Sequence, residues 1–345
     1  MSTTSIGLDV SVPALVTGGG GFIGGHLVAR LRSEGFTQIR SVDCKPLDDW
    51  YQRFDDADSR VLDLSRLESC HEAAEGMGYV FHLAADMGGM GFIENNKALC
   101  MLSVLPSTHM LVAARDAGTQ RFFYSSSACV YAADKQTSPE VVALREDDTY
   151  PAMPEDGYGW EKLFTERMAR HFWEDFGLET RAARYHNVYG PLGTYDGGRE
   201  KAPAAICRKV IAAKLSGSNE IEIWGDGEQT RSFTYIDDCL DGTLRLTASD
   251  CHEPLNIGSS ELVTINEMVS MCEEIGGVKL ERRYLLDAPQ GVRGRNSDNT
   301  RVRSELAWEP SIGLADGLAR TYAWIQDQMT ASAGSSPASV SSPTS

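Results

Sequence analysis

Short apolar runs alternate with helix-compatible segments along the first third of the chain. Each run ends in a small or polar residue, and the runs occupy residues 13–17, 39–42, 60–62, 79–81 and 122–124. Runs of this length between turn residues are typical of the buried strands of a parallel sheet. Their alternation with helices indicates right-handed βαβ units. The sequence therefore predicts an α/β fold, a doubly wound parallel sheet of the Rossmann type with a smaller C-terminal α/β domain.

The composition narrows the range of partners. The formal net charge of -17 and the pI near 4.8 disfavour binding to nucleic acid or to an anionic membrane. No apolar run approaches the roughly 20 residues of a membrane span, and residues 1–12 lack the pattern of a signal peptide. The eight cysteines are scattered, without the spacing of a zinc site. We expect a cytoplasmic protein with reduced thiols, no metal, no membrane contact and no nucleic acid partner.

A glycine-rich turn follows the first apolar run. Gly18, Gly21 and Gly24 fit the spacing G-x-x-G-x-x-G, a variant of the dinucleotide fingerprint, and Phe22 and Ile23 lie within it. A pyrophosphate must come close to backbone amides at a helix N-terminus, and side chains in the turn would obstruct it. A strand precedes this turn and a helix-compatible segment follows it. We therefore expect these five residues to contact a dinucleotide cofactor.

Acidic residues end the second and third runs. Asp43 follows Gly24 by 19 residues, where a carboxylate would bind the adenosine ribose of NAD and repel the 2′-phosphate of NADP. Lys45, two residues on, keeps NADP open as an alternative. Asp63 either borders the adenine or caps the helix that follows it. NAD is the expected cofactor.

Two later segments carry features that bear on ligand binding. The residues 86–92 are too rich in glycine for a helix and predict a loop that a ligand can approach closely. The residues 96–117 are compatible with a long helix that breaks or kinks at Pro106.

A proton-transfer site is predicted where the run 122–124 passes into small hydroxyl residues, among them Ser126 and Ser127. Ligands of parallel sheets lie at the carboxyl ends of the strands, so these hydroxyls are expected in the ligand crevice. Tyr158 and Lys162 are four residues apart and would share one face of a helix. A hydroxyl, a phenol and an ammonium in one crevice can move a proton to or from a substrate.

Taken together, these motifs resemble the extended short-chain dehydrogenase/reductase family of NAD-dependent epimerases and dehydratases. Longer motifs are similar to the branch that epimerises GDP-mannose, and they lie at residues 87–92, 126–129, 158–162, 186–191, 197–203, 224–233 and 291–298. With the glycine turn, the matching motifs span about 285 of the 345 residues. One departure is Ala132-Ala133, where Pro-Glu is expected in the family; it should affect only a loop.

The resemblance implies an isomerase that uses NAD transiently. Oxidation of carbon 4 would acidify the hydrogens on carbons 3 and 5, inversion would follow, and the hydride would return to carbon 4. Tyr158 would take the hydroxyl proton, with its pKa lowered by Lys162, and Ser127 would hydrogen-bond the reacting oxygen. Cys129 and Lys201 would act as the base and the acid. GDP-D-mannose would give GDP-L-galactose, or GDP-L-gulose by inversion at carbon 5 alone.

The resemblance also implies how the substrate is held. GDP-mannose and related GDP-hexoses are the expected ligands. Their expected contacts are Gly88, Met90, Ser126, Ser127, Cys129, Asn187, Glu200, Lys201, Ala202, Lys209, Gln229, Thr230, Arg231, Arg293 and Arg295. Arginine suits the diphosphate because its guanidinium binds phosphate in a bidentate manner.

The same resemblance implies the domain organisation and a dimer. Residues 12–185 would form the NAD-binding domain, rejoined by segments around 229–260, and residues 186–330 would mainly bind the nucleotide sugar. Residues 331–345 have the composition of a disordered tail. A homodimer is implied, through helices around 96–117 and from Tyr158 onward.

Two alternatives stay open at this point. Another nucleotide-sugar 4-epimerase or a dehydratase would share the fold, but a 4-epimerase needs no acid–base pair beyond Tyr158, and a dehydratase normally carries an acid where Cys129 stands. A catalytically inactive NAD-binding sensor would also share the fold. Such a protein would be expected to lose Tyr158 or Lys162, and both are present.

Overall fold

The computed structural model describes residues 7–334. The strands within these residues are, in chain order, β1 (Ala14–Thr17), β2 (Ile39–Asp43), β3 (Asp58–Val61), β4 (Tyr79–His82), β5 (Arg121–Ser127), β6 (Thr180–Tyr185), β7 (Val188–Tyr189), β8 (Glu220–Trp224), β9 (Thr230–Ser232), β10 (Thr234–Tyr235), β11 (Leu255–Ile257), β12 (Leu262–Thr264), β13 (Glu281–Leu285) and β14 (Gly294–Arg295). The α-helices are α1 (Phe22–Ser33), α2 (Leu67–Ala74), α3 (Met90–Asn95), α4 (Lys97–Met101), α5 (Val104–Asp116), α6 (Asp156–Phe176), α7 (Ala202–Ser216), α8 (Ile236–Ala248), α9 (Ile265–Gly276), α10 (Thr300–Leu306) and α11 (Leu314–Gly334).

Seven parallel strands form the central sheet, in the order β11-β6-β5-β4-β1-β2-β3. Strand β1 lies between β2 and β4, so the strand order reverses beside it. Ligands of doubly wound sheets bind in the crevice at this switch point, outside the carboxyl ends of the strands. The predicted Rossmann-type fold is therefore confirmed.

The chain returns to the central sheet late. Strand β11 pairs in parallel with β6 after the chain has formed several elements of the second half. Other strands of the second half, some before β11 in the chain and some after it, form a sheet in the order β12-β9-β14 and a pair of β8 with β13. Helices α7, α9 and α11 pack against one another around them. The crevice is thus bordered by the sheet on one side and by these smaller sheets on the other.

A short helix replaces part of the loop predicted at 86–92. Helix α3 begins at Met90, and its N-cap residue Gly89 donates its N–H to the Arg199 carbonyl at 3.0 Å. Ile93 is buried on the inner face of this helix. The prediction was wrong here because tertiary packing outweighs the low helix propensity of glycine.

The predicted break near Pro106 is present. The chain turns at residues 102 and 103, between α4 and α5, and Pro106 lies in the first turn of α5. A proline there loses no hydrogen bond, because first-turn amides have no partner within the helix.

The segment Lys97–Asp116 is long and apolar enough to cross a membrane by length and composition alone. Charged and polar residues at both ends of this segment are the reason that no membrane span was predicted from the sequence. In the structure it forms α4 and α5, which pack against α2 and α6. Met110 and Leu111 are fully buried in that packing.

Helix α11 extends to Gly334. The first four residues of the predicted disordered tail, 331–334, are therefore helical, which corrects that prediction. Alanines at 331 and 333 favour continuation of the helix. The rest of the tail lies outside the described residues.

A buried ion pair ties α6 to β6. The Arg184 guanidinium donates to the two Glu166 carboxylate oxygens at 3.0 and 2.7 Å, and to the Glu146 carbonyl at 2.8 Å. The Ser126 hydroxyl also donates to Glu166, at 2.5 Å. Each charge in this cluster satisfies the other, so neither is left unpaired in the interior.

We expect Glu166→Leu to lower the free energy of unfolding by about 3–5 kcal/mol, because Arg184 would remain buried and unpaired. Chemical denaturation measures the change. The control Glu174→Gln removes a half-exposed partner of Arg170 from the same helix and should cost at most about 1 kcal/mol. Equal losses in the two variants would contradict this account of the pair.

Candidate active site

The glycine turn connects β1 to α1 as the sequence predicts. Gly18 has a φ of +72°, and a Cβ on Gly24 would collide with the Gly18 carbonyl. No side chain caps the first turn of α1. The amides of residues 22–24 therefore have no partner within the helix and carry its positive end. This turn fits the pyrophosphate of a dinucleotide.

Asp43 ends β2 beside the glycine turn. Its Oδ2 accepts the Gly20 N–H at 3.1 Å, and its Oδ1 accepts the Lys45 N–H at 3.0 Å. These bonds hold the carboxylate in place and leave a lone pair on each oxygen for a ribose hydroxyl. Asp63 instead accepts the Ser65 N–H at 2.9 Å in a surface turn, and α2 begins only at Leu67, so Asp63 does not cap that helix as the capping alternative expected.

Helix α6 brings Tyr158 and Lys162 side by side. The Lys162 Nζ lies 5.5 Å from the centre of the Tyr158 ring and 3.6 Å from Glu161 Oε2. Burial and the negative charges of Cys129 and Glu161 raise the pKa of Tyr158 well above that of a free phenol. The lowering expected from Lys162 is not found, because burial opposes the phenolate and Glu161 offsets the lysine charge.

Glu161 is held by a buried hydrogen-bond chain. Its Oε1 accepts from Tyr124, Thr165 and Ser107 at 3.1, 3.3 and 3.4 Å. The Ser107 hydroxyl also lies 3.2 Å from His82 Nε2, and burial lowers the pKa of His82 to about 3, so its ring is neutral. The Glu161 carboxylate therefore cannot turn away from Lys162 without breaking several bonds.

The start of α6 lies directly against Cys129. The Glu155 N–H donates to the Cys129 carbonyl at 2.9 Å, and a Cβ on Gly159 would overlap that carbonyl. Ser127 Oγ accepts the Cys129 N–H at 3.2 Å, and its hydrogen bonds favour the ionised forms of both Cys129 and Tyr158. The Ser127 hydroxyl therefore lies between the thiol and the phenol.

The Cys129 thiol shares a buried site with Arg295 and Glu155. Arg295 lies 3.5 Å from Sγ through Nη1, and donates from Nη2 to Glu155 Oε2 at 2.6 Å and from Nε to Gln136 at 2.7 Å. Burial and the Glu155 charge raise the pKa of Cys129, and the Arg295 charge opposes them. The free thiol is therefore protonated near neutral pH.

Lys201 occupies the N-cap position of α7 and is partly buried. Burial lowers the pKa of its ammonium, while the charges of Cys129 and Cys239 act in the opposite direction. Among the described residues, no carboxylate forms an ion pair with Lys201. The structure thus brings an amine of lowered pKa into electrostatic contact with the Cys129 thiol.

The glycine-rich segment 86–92 forms a roof with the loop before α7. Arg199 donates to Asp86 at 2.9 Å and stacks over the Phe92 ring at 3.9 Å. A Cβ on Gly89 would overlap the Glu200 carbonyl, so only glycine permits this approach. Met90 packs against Gly291 on the other side. Gly88 and Met90 therefore lie in the roof, and their expected contact with the substrate stays a prediction.

Positive charge is concentrated opposite this roof. Arg231 is buried and donates to the main-chain carbonyls of Thr230, Gln290 and Val292, and no carboxylate in the described part of the chain forms an ion pair with it. Burial and the Arg295 charge lower its pKa to about 10, so it stays charged at neutral pH. A buried cation without a carboxylate partner fits an anionic ligand group.

Two further cations border the same region. Arg293 pairs with Asp226 at 2.9 Å. Lys209 donates to the Glu222 carbonyl at 2.9 Å and lies over the Trp224 ring at 5.8 Å.

Several predicted substrate contacts have side chains that bond within the protein. Four of these side chains donate: Ser126 to the Glu166 carboxylate, Thr230 to the Pro139 carbonyl, Gln229 to the Trp224 carbonyl and Asn187 to the Ser232 carbonyl. The Glu200 carboxylate accepts from Arg208 and from the Gly198 N–H. Ser126 points to the opposite face of β5 from Ser127, because neighbouring strand residues alternate. The expected contact of the Ser126 side chain with the substrate is therefore corrected: this hydroxyl has a structural role, in binding Glu166.

Sequence reasoning missed Glu155, Glu161 and Gln136. Glu155 precedes α6 in an irregular loop, and Gln136 lies in a short 3₁₀ turn, where no periodicity marks a buried face. Glu161 stands next to Lys162 in a motif where only the tyrosine and the lysine were weighed. The unusual presence of a carboxylate beside that lysine was the available signal.

Comparisons with known proteins agree on one family. Residues 14–258 match the NAD dependent epimerase/dehydratase family. The chain is 48% identical over 315 residues to GDP-mannose 3,5-epimerase 1 of Oryza sativa subsp. japonica, covering 91% of this chain and 82% of the relative. UDP-glucose 4-epimerase of Thermotoga maritima, solved with UDP-glucose, superposes with a TM-score of 0.82 at 26% identity, covering 92% and 100% of the two chains. MoeE5 with UDP-glucuronic acid and NAD gives 0.76 at 32% identity, covering 92% and 99%.

Glu161→Gln should lower the pKa of Tyr158, because it removes a negative charge beside the phenol and keeps an amide oxygen as acceptor. The phenolate should then form at lower pH than in the wild type. Ultraviolet difference titration against a Tyr158→Phe background measures this. The control Glu174→Gln lies on the exposed end of the same helix and should leave the Tyr158 titration unchanged. If Glu161→Gln also left it unchanged, the conclusion that the Glu161 charge raises the Tyr158 pKa would be wrong.

Proposed function

Because the chain belongs to the NAD-dependent epimerase/dehydratase family, we propose that it epimerises GDP-D-mannose at carbons 3 and 5 to GDP-L-galactose. Inversion at carbon 5 alone gives GDP-L-gulose. The observations that carry this assignment are the position of Cys129 beside Ser127 and against the start of the helix that holds Tyr158, and the position of Lys201 beside Gly89 in the roof. The 48% identity to the rice epimerase supports the same activity.

The glycine turn and Asp43 fit NAD. The first-turn amides of α1 suit the pyrophosphate, and the Asp43 carboxylate suits the adenosine ribose. Tyr158 and Lys162 lie on α6, which packs against β5. Bound NAD would supply the acceptor, and later the donor, of the hydride at carbon 4.

The protein residues handle the proton at carbon 4. Tyr158 accepts the hydroxyl proton as the carbon is oxidised, and Ser127 hydrogen-bonds the same oxygen. Lys162 lies close enough to stabilise the phenolate that must precede this transfer. The burial that raises the Tyr158 pKa also excludes water from the reacting oxygen.

The acid–base pair performs the inversions. The ketone at carbon 4 makes the hydrogens on carbons 3 and 5 acidic enough to be removed by a protein base. The Cys129 thiolate removes a proton from one face of the sugar ring, and the Lys201 ammonium delivers a proton to the other face. Arg295, 3.5 Å from Sγ, stabilises the thiolate.

The cation cluster supports a GDP-sugar as ligand. Arg231 is a buried arginine without a carboxylate partner among the described residues, which suits contact with the diphosphate, whereas the Arg295 guanidinium is engaged by Glu155, Gln136 and Cys129. Lys209 and Arg293 extend this positive region past Trp224. In a chain of net charge -17, such a cluster has to be built locally.

The two alternatives have specific difficulties. A 4-epimerase needs no second acid–base pair, yet Cys129 and Lys201 both border the crevice in addition to Tyr158. A dehydratase would need a carboxylic acid in place of the Cys129 thiol. An inactive sensor gives no reason to bury Tyr158 beside Lys162 and Glu161, because removing these polar groups from water has a cost.

We also propose that the protein is a cytoplasmic homodimer. Apolar side chains that are 38–57% exposed cluster on α6 and on the α4–α5 segment, which pack together: Leu99, Met101, Leu102, Leu105, Trp160 and Phe164. A second copy of the same face would remove this area from water. The reduced state of all eight cysteines is consistent with the cytoplasm.

In heavy water, the purified protein should convert GDP-mannose to epimers that carry deuterium at carbons 3 and 5 and none at carbon 4. The hydride at carbon 4 stays on the cofactor, while the other two hydrogens exchange with solvent through the protein. Nuclear magnetic resonance and mass spectrometry of the sugar measure both. Cys129→Ala and Lys201→Ala should each lower exchange by about a hundredfold or more while NAD remains bound. Return of unlabelled GDP-mannose by the wild type would refute the proposed function.

Phe164→Glu should convert the homodimer to a monomer, because a carboxylate would be buried at the centre of the apolar face. Light scattering gives the mass of each species. The matched control Phe176→Glu changes an equally exposed phenylalanine (53% against 52%) at the far end of α6 and should leave the mass unchanged. A monomeric wild type would refute the dimer.

A further inference from the structure

Two successive inversions by the same acid and base require both groups to recover their protonation states between the two steps. The first inversion breaks the bond between carbon 5 and its hydrogen, forms S–H on Cys129, and transfers a proton from the Lys201 ammonium to the opposite ring face. The pair is then a thiol and a neutral amine, which is the reverse of what the second inversion needs. The hydrogens on carbons 3 and 5 of mannopyranose lie on the same ring face, so the same thiolate must serve both. The Cys129 proton must therefore leave while the oxidised sugar is still in place.

On the Cys129 side of the sugar, the described groups around Sγ include one suitable acceptor, because in the proposed function the neutral Lys201 amine faces the opposite side of the ring. Arg295 is a cation, Ser127 donates or accepts without a charge, and Tyr158 is held protonated by burial. Glu155 shares the Arg295 guanidinium with the thiol, at 2.6 Å from its Oε2 against 3.5 Å from Sγ, and it is ionised, since the Arg295 charge keeps its pKa below the usual range despite burial. Its side chain is 10% exposed, against 4% for Arg295.

We propose that Glu155 takes the proton from Cys129 between the two inversions, with Arg295 balancing whichever of the two is anionic. This proposal rests on the proposed function. In the transfer, S–H breaks and O–H forms on a Glu155 carboxylate oxygen. Before it, the three groups are a carboxylate, a guanidinium and a thiol; after it, a carboxylic acid, a guanidinium and a thiolate. Lys201, which is partly exposed, regains a proton from solvent before the second inversion and again after it, and the two protons removed from the sugar return to solvent from Glu155 and Cys129.

The net charge of the buried cluster favours proton transfer from Cys129 to Glu155 over direct loss of the thiol proton to solvent. The net charge of Cys129, Glu155 and Arg295 is zero both before and after the transfer. Direct loss of the thiol proton to solvent would leave one net negative charge in a buried cluster, which desolvation opposes. Arg295 contacts both Sγ, at 3.5 Å, and Glu155 Oε2, at 2.6 Å, so it needs no displacement to change partners.

Glu155→Gln provides the test, because glutamine keeps the shape and cannot accept the thiol proton. The first thiolate can form before the sugar covers the crevice, whereas the second must form beneath it. Inversion at carbon 3 should therefore fail more than inversion at carbon 5. We expect the ratio of GDP-L-galactose to GDP-L-gulose at early conversion to fall by about tenfold or more. Deuterium at carbon 3 should fall in the same proportion relative to carbon 5.

Asp156→Asn is the matched control. It removes the same charge one residue along, where Asp156 pairs with Lys97 at 3.0 Å and does not contact the thiol. The product ratio should stay at the wild-type value. An unchanged or raised ratio in Glu155→Gln would overturn the proposal, since a purely electrostatic or structural role predicts no selective loss at carbon 3.

Two further measurements keep the outcome decisive. If Glu155→Gln does not bind NAD and so has not folded, Glu155→Asp replaces it; the shorter carboxylate keeps the charge but withdraws from Sγ, and the same fall in ratio is expected. If the wild type produces neither epimer, the proposed function fails. The ultraviolet titration of the Cys129 thiolate then tests the contact alone: a lower thiol pKa in Glu155→Gln supports it, and equal values overturn it.

Discussion

The close approach of α6 to the end of β5 determines the rest of the site. Gly159 permits it, because any larger residue would overlap the Cys129 carbonyl. The same approach places Tyr158 beside Ser127 and holds Glu155 against Cys129 through the bond from the Glu155 N–H. Redox and inversion chemistry are thereby brought to one place by the backbone of a single helix.

Burial of charge is the second constraint on this site. Lys162 is offset by Glu161, Arg184 by Glu166, and Arg295 by Glu155. Arg231, Lys201 and Lys209 are cations near the crevice that form no ion pair with a carboxylate among the described residues. This contrast separates structural charges from those available to a ligand or a proton. In the proposed function, the diphosphate binds near Arg231 and Lys209, and Lys201 takes part in the inversions.

The sequence was sufficient where chemistry depends on local spacing. The glycine turn from Gly18 to Gly24, the position of Asp43 and the four-residue spacing of Tyr158 and Lys162 all follow from strand and helix periods. The parallel sheet follows from buried runs that alternate with helices. These features are predictable because each depends on neighbours a few residues away in the chain.

Only the tertiary structure decided the features that depend on distant segments. Helix α3 forms in a glycine-rich segment because the Arg199 backbone and buried Ile93 support it. Ser126 turns from the crevice because Glu166, 40 residues later, accepts its hydroxyl. The contact of Arg295 with Cys129 joins residues 166 positions apart, and it places Glu155 in the same cluster. The direction and the pKa of a side chain depend on the distant segments that pack against it, and local sequence periodicity carries no information about those segments.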